Sequence, residues 1–79
     1  MRLTYDPRHN VGYIAFREGP AEVETLRLSE ELNVDIAPDG TVYGIELLNA
    51  SEQLGLATAS HLVITNEASG ESQEVTLAG

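Results

Sequence analysis

The sequence predicts a small α+β domain that is mostly β, built from antiparallel β-hairpins in a meander with one short helix. Three observations support this fold class. Apolar residues alternate with polar ones in several short segments, which is the period of half-buried strands. Clusters of Pro, Asp, Asn and Gly separate these segments as turn formers do. One stretch alone has the pattern of a helix start.

The first predicted hairpin lies at the amino terminus. Residues 2–5 alternate between apolar and polar side chains, and Asp6-Pro7 ends this strand because proline has no N–H to donate to a sheet. Residues 6–10 therefore form the predicted turn. The β-forming run of residues 11–16 returns as the second strand.

The clearest predicted hairpin lies in the middle of the chain. Residues 32–36 and 42–48 have the most regular alternation in the sequence. Between them lies Ala37-Pro38-Asp39-Gly40, which predicts a type I turn with Gly40 at positive φ. The weaker pattern of residues 21–28 fits neither a helix nor a strand well, and we interpret it as a strand.

A short helix is predicted after this hairpin. Asn49-Ala50-Ser51-Glu52 resembles a capping box, in which the Asn49 side chain begins a helix that ends near Gly55. Two further short strands are predicted at residues 62–65 and 75–77, around a polar loop. The sequence leaves open whether this tail is an additional hairpin or is partly disordered.

The chain is predicted to be a single small domain over residues 1–79, with a hairpin core in residues 1–54 and a C-terminal extension in residues 55–79. A chain of 79 residues forms only a small hydrophobic core. It has no cysteine, which excludes disulfides and cysteine-ligated metals. We therefore expect self-association to add stability, because the exposed edges of so small a sheet can pair with a second copy.

The chain is strongly acidic. Thirteen Asp and Glu residues face four basic residues, which gives a formal net charge of −9. Such a field repels phosphate backbones, so nucleic acid is not an expected partner, whereas a basic protein would be attracted. A purely solubilising role for the charge is left open. The sequence has no signal-peptide pattern and no membrane-spanning run, so we expect a soluble, cytoplasmic protein without a membrane partner.

One acidic pattern is similar to the calcium-binding loop of an EF-hand. The residues that match it are Asp35, Asp39, Gly40 and Glu46. Ala37 and Pro38 occupy positions where that loop needs other residues, and the flanking segments have the period of strands rather than helices. We therefore interpret the four residues as a turn and its solvated strand faces.

The two histidines are weak candidates for chemistry. His9 lies in a predicted turn with Asp6, but two ligands do not make a closed metal site. Ser60 and His61 are neighbours on a predicted strand, where successive side chains point to opposite faces, so they cannot form a nucleophile–base pair. The sequence thus predicts no catalytic residues and no cofactor. The metal candidates are Asp6, His9, Asp35 and Glu46.

The aromatic residues are interpreted as core residues rather than a ligand platform. On the second strand, Ile14 and Phe16 lie on the opposite face from Tyr13 and Ala15. One of these faces can therefore form an exposed apolar patch, which would be the best candidate for a protein contact.

Several segments together resemble a known family. They are Leu3-Thr4-Tyr5-Asp6-Pro7, Gly12-Tyr13-Ile14-Ala15-Phe16, Asn33-Val34-Asp35-Ile36-Ala37-Pro38-Asp39-Gly40 and Val42-Tyr43-Gly44-Ile45-Glu46-Leu47-Leu48-Asn49-Ala50-Ser51. These segments resemble the YuzE-like small bacterial proteins of DUF family 2283. The resemblance implies a fold more than a function, because the biochemistry of this family is uncharacterised and some members are suspected antitoxin-like partners of small toxins.

The expected function is a non-enzymatic protein-interaction domain, antitoxin-like if its partner is a small basic toxin. The charge, the small size and the family resemblance support it. The alternative is a small-molecule or divalent-metal binding protein that uses the four metal candidates.

Overall fold

The computed structural model describes residues 1–19, 21–56 and 60–77 of the protein. In these residues the chain forms strands and one short helix in the following order: β1 (Arg2–Asp6), β2 (Val11–Ala15), β3 (Glu24–Ser29), β4 (Leu32–Ile36), β5 (Val42–Leu48), α1 (Ala50–Gln53), β6 (Ser60–Thr65) and β7 (Ser72–Leu77). The mostly-β α+β fold is thereby confirmed. The described part contains no helix with the length and apolarity that a bilayer crossing needs.

Five of the strands form one antiparallel sheet in the order β1-β2-β5-β4-β3, and β6 and β7 form a separate two-stranded sheet. The weak pattern of residues 21–28 is indeed a strand, although β3 begins and ends later, at Glu24–Ser29. Residues 60–77 of the C-terminal tail form a hairpin, which is one of the two alternatives that the sequence left open, whereas residues 57–59, 78 and 79 of the tail lie outside the described residues. The central strand of the large sheet is β5, and its edges are β1 and β3.

The predicted turn between β4 and β5 is present. Gly40 N donates to Ala37 O at 2.9 Å, and Ala37 N donates to Thr41 O at 2.8 Å. Gly40 has a φ of 90°, which only glycine adopts without strain. The Asp39 carboxylate accepts a hydrogen bond from Thr41, and this bond lowers the pKa of Asp39.

The helix α1 starts differently from the prediction. Asn49 is in the left-handed region with a φ of 53° and makes no capping hydrogen bond through its side chain. Asn10, in the turn between β1 and β2, caps the helix instead. Its backbone O accepts from Ala50 N at 3.0 Å, and its Oδ1 accepts from Ser51 N at 2.8 Å. The capping-box prediction is wrong because a residue from a distant turn supplies the acceptor.

Helix α1 packs closely on strand β2. A Cβ atom added to Gly12 would lie 3.3 Å from Ala50 Cβ and 3.4 Å from Leu54 Cδ1, so the glycine permits the approach. The Gln53 side chain donates to the carbonyl oxygens of Glu31 and Leu48. The helix is therefore held at one end of the sheet by packing and by polar contacts.

The interior of this molecule is very small. In the described part of the chain Ala50 is the one buried hydrophobic residue, and no large side chain is fully buried. The radius of gyration of the Cα atoms is 14.1 Å, whereas a compact chain of this length has about 12 Å. A single sheet with one covered corner does not enclose a core.

Asn10→Ala should lower the free energy of unfolding by about 1–2 kcal/mol, because it removes the helix cap and places alanine at a φ of 56°. Asn10→Gly keeps the backbone freedom, so it should cost less. Chemical denaturation measures both variants. Equal stability of Asn10→Ala and the wild-type protein would contradict the capping role.

Candidate functional site

The strand register divides the large sheet into two chemically different faces. Directly paired residues on neighbouring strands project to the same face. One unbroken row of paired aliphatic residues crosses all five strands in the order Leu3, Ile14, Ile45, Val34 and Leu26. We call the surface that contains this row the apolar face, and its members are Leu3, Ile14, Leu26, Leu32, Val34, Ile36, Ile45 and Leu47.

The apolar face is largely uncovered. Its row ends at the sheet edges with Leu3 and Leu26, which are 36% and 37% exposed. Ile14, Val34 and Ile45 in the middle of the row are only half-buried. Helix α1 covers the corner at Gly12. The face that carries Ile14 is therefore the exposed apolar patch that the sequence allowed.

The opposite surface, which we call the polar face, carries a hydrogen-bond network. Tyr13 OH donates to Asp35 Oδ2 at 2.7 Å, and Thr25 Oγ1 donates to Asp35 Oδ1 at 2.6 Å. Asn33 Nδ2 donates to Glu46 Oε1 at 2.8 Å. One oxygen of Asp35 thus accepts from the adjacent strand β3, and the other accepts from β2, which lies two strands away beyond β5. The network therefore links β2, β3 and β4 across the sheet.

Gly44 makes this network possible. It lies on β5, between the strand of Tyr13 and the strand of Asp35. A Cβ atom added to Gly44 would overlap the end of the Tyr13 side chain, with Cε1 2.8 Å away and Cζ and the hydroxyl closer still. The tyrosine therefore reaches Asp35 by passing over a residue without a side chain.

The network controls the protonation of Tyr13. The hydrogen bond to Asp35 raises the pKa of Tyr13 to about 12, and burial and the charges of Asp35 and Glu46 act in the same direction. Tyr13 is therefore a protonated donor at neutral pH. A phenol with this pKa is a poor general base at that pH.

The sequence missed this role of Tyr13 and Gly44. A glycine inside a regular strand often marks a close approach of another group, and Gly44 interrupts the strand of residues 42–48. That signal shows where an approach occurs. It does not identify the approaching side chain, because Tyr13 lies on another hairpin.

Among the metal candidates, the structure brings Asp6 and His9 together. His9 Nδ1 lies 2.8 Å from Asp6 Oδ2, and both side chains are exposed. The hydrogen bond from His9 lowers the pKa of Asp6. This contact is a local turn interaction between residues three apart in sequence.

The other two metal candidates have different partners. Asp35 and Glu46 lie on the polar face, half-buried, and accept the hydrogen bonds described above. These carboxylates thus remain partly exposed and accept hydrogen bonds from other strands as well. Within residues 1–19, 21–56 and 60–77, no group of three or more His, Asp or Glu residues is arranged to hold a metal ion.

The second histidine makes a contact within the C-terminal hairpin. His61 Nδ1 on β6 lies 2.7 Å from Glu74 Oε1 on β7. The neighbouring Ser60 hydroxyl donates to Leu54 O at 2.6 Å. Each side chain is engaged with a different partner, so the structure does not bring Ser60 and His61 together.

Comparison with known proteins identifies a family for this fold. The family model described as a protein of unknown function (DUF2283) matches residues 2–51. The match spans the five strands of the large sheet and ends within α1, so it contains both faces. No curated protein and no solved structure matches the chain.

Gly44→Ala should lower the free energy of unfolding by about 1–3 kcal/mol, because the new methyl group displaces Tyr13. In a Tyr13→Ala background the same change should cost little or even stabilise, since alanine is better than glycine inside a strand. A double-mutant cycle by chemical denaturation measures the coupling. The same cost in both backgrounds would refute the steric explanation.

In an alkaline titration followed by tyrosine absorbance, one component should titrate near pH 12, and Tyr13→Phe should remove it. Because the folded pKa of Tyr13 is raised from 10.0 to about 12, this interaction stabilises the fold fully below pH 10. The stabilisation is then lost as the pH rises through the folded value. Asp35→Asn should move the late component to lower pH, and an unchanged titration would show that Asp35 is not the cause.

Proposed function

The chain belongs to the family described as a protein of unknown function (DUF2283), and from its geometry we propose that it is a non-enzymatic protein-interaction domain. In this proposal the apolar face binds another polypeptide. The observation that carries the proposal is the unbroken aliphatic row, which crosses the whole sheet and stays partly exposed.

An uncovered sheet face of this kind needs a second layer. Domains are stable when the apolar side of one layer packs on another layer. Helix α1 has only four residues and covers one corner of the sheet. A contiguous exposed apolar patch on a folded protein marks a site of interaction. A bound polypeptide would supply the missing layer.

The polar face supports a structural rather than catalytic role for its titratable groups. Both oxygens of Asp35 accept hydrogen bonds from donors on other strands of the sheet. Tyr13, with its pKa raised to about 12, keeps its proton at neutral pH. Groups that serve as general acids or bases have pKa values near the working pH. In this proposal, Asp35 and Tyr13 stabilise the sheet through the hydrogen bonds of this network.

The charges around the apolar face are consistent with a basic partner. Exposed acids lie in the loops and on the helix at the ends of the strands, namely Glu22, Glu30, Glu31, Asp39 and Glu52. An apolar centre with a charged rim is the usual anatomy of a protein interface. An antitoxin-like pairing with a small basic toxin is one form of this function, and the acidic rim would steer such a partner.

Capture of partners by matched variants tests the proposal. Tagged full-length protein is co-expressed with an untagged copy in its own host, and captured proteins are quantified by mass spectrometry. Ile45→Lys, in the centre of the apolar face, should reduce capture by about tenfold or more. Thr4→Lys makes the same charge change on the opposite face and should not.

Two results would contradict the proposal, provided that both variants fold. Circular dichroism first establishes that both variants keep the strand content of the wild-type protein. If the wild-type protein then captures nothing, or if Ile45→Lys and Thr4→Lys capture equal amounts, the apolar face is not a binding surface. Release of a captured protein at about 0.5 M salt would identify it as a basic partner.

A further inference from the structure

We propose that the polypeptide on the apolar face is a second copy of this chain, packed face to face so that the two sheets share one core. This inference rests on the proposed function, because it names the partner bound by the same surface. The pairing differs from the association through exposed sheet edges that the sequence led us to expect.

A single copy of the chain encloses almost no hydrophobic core. Ala50 is the one hydrophobic residue that the described chain buries, although Leu, Ile and Val occupy most of the apolar face. Two packed sheets are a stable architecture, whereas one bare sheet is not. A second copy is present wherever the chain is made, and it offers a sheet face of the same size and composition.

The aliphatic row is arranged so that two copies can pair symmetrically. Ile45 lies on the central strand β5 and in the middle of the aliphatic row, with two row members on each side. A two-fold axis passing near Ile45 would place the row of one copy across the row of the other. Such an interface is isologous, as in most homodimers. Sheets packed in this way lie about 10 Å apart and cross at roughly 30°.

The apolar face carries few charged residues. Among the paired positions of the apolar face, Glu24 is the one acid, and it lies at the start of the edge strand β3. Asp35 and Glu46 point from the opposite face. The surfaces that meet are therefore nearly free of charge. The net charge of −9 on each copy acts at longer range, and salt screens it.

The area that two copies would bury can be compared with the area of a stable interface. Five strands of about six residues cover roughly 24 Å by 20 Å, and helix α1 covers one corner of this surface. Two copies would therefore contribute at most about 1,000 Å² in total, near the lower limit for a stable interface. The β6–β7 hairpin can extend this area. On one side it carries Leu62, Ile64 and Val75, which are 41%, 48% and 46% exposed. An isolated hairpin of this kind is marginally stable without a cover.

The base of this hairpin lies on the same side of the sheet as the apolar face. Ser60 donates to Leu54 O, and Leu54 Cδ1 packs against Gly12 beside Leu47. The hairpin thus begins next to the apolar face.

Molar mass in solution tests the proposal directly. Light scattering on the full-length protein should give twice the monomer mass of 8.5 kDa. Ile45→Glu should raise the dissociation constant by about tenfold or more, whereas Thr4→Glu, with the same charge change on the polar face, should not. Raising the salt to about 0.5 M should keep or tighten the dimer, because it screens the repulsion between acidic copies.

Cross-linking tests the geometry and does not depend on how Ile45→Glu folds. The natural chain has no cysteine, so Val34→Cys and Thr4→Cys each introduce a single thiol. A short bismaleimide should join two copies of Val34→Cys and should leave Thr4→Cys monomeric in denaturing gels. Joining through Thr4→Cys alone would indicate pairing at the β1 edge and would overturn the face-to-face dimer.

A monomeric mass at every concentration would also overturn this inference. It would leave the proposed function standing if the apolar face still captured a different protein. Loss of that capture as well would remove both. The two experiments thus separate the identity of the partner from the existence of a binding surface.

Discussion

The register between β2 and β5 is the constraint on which the rest of the structure depends. It sets Ile14 opposite Ile45 and Ala15 opposite Gly44. A shift of one residue would turn every side chain of one strand to the other face. The aliphatic row would then be broken, and the Tyr13 side chain would meet a residue with a Cβ atom where it now passes over glycine. Both faces of the sheet are therefore determined by one pairing.

The polar network disfavours any other register of these strands. Asp35 receives one hydrogen bond from Tyr13 and another from Thr25, so its carboxylate fits only when β2, β5, β4 and β3 are aligned. A half-buried carboxylate without donors is unfavourable by about 1–3 kcal/mol or more. The polar face thus selects the strand alignment, and the apolar face is left free for association. This division explains the presence of a glycine, with its low strand propensity, at position 44.

The local features of the fold were predictable from sequence, and the long-range ones were not. The hairpin turning at residues 37–40 depends on neighbouring residues and was predicted correctly. The cap of α1 was not, because Asn10 and Ser51 are 41 residues apart in sequence. The network of Tyr13 and Asp35 joins residues 22 apart and made carboxylates that looked solvated into hydrogen-bonded ones. Periodicity identifies strands and their faces, but it does not reveal which side chain crosses to a neighbouring strand.

The uncovered apolar face couples folding to association. Full burial of a Val, Leu or Ile side chain is worth about 1.5–3 kcal/mol. The exposed part of each member of this face, which is at most 37%, therefore represents up to about 0.5–1 kcal/mol. Summed over the face, that amount is comparable with the whole stability of a small domain. A ligand that binds only the folded state stabilises it in proportion to its own affinity. The sheet is held in register by its polar face, and the polypeptide that covers its apolar face therefore determines how stable the folded chain becomes.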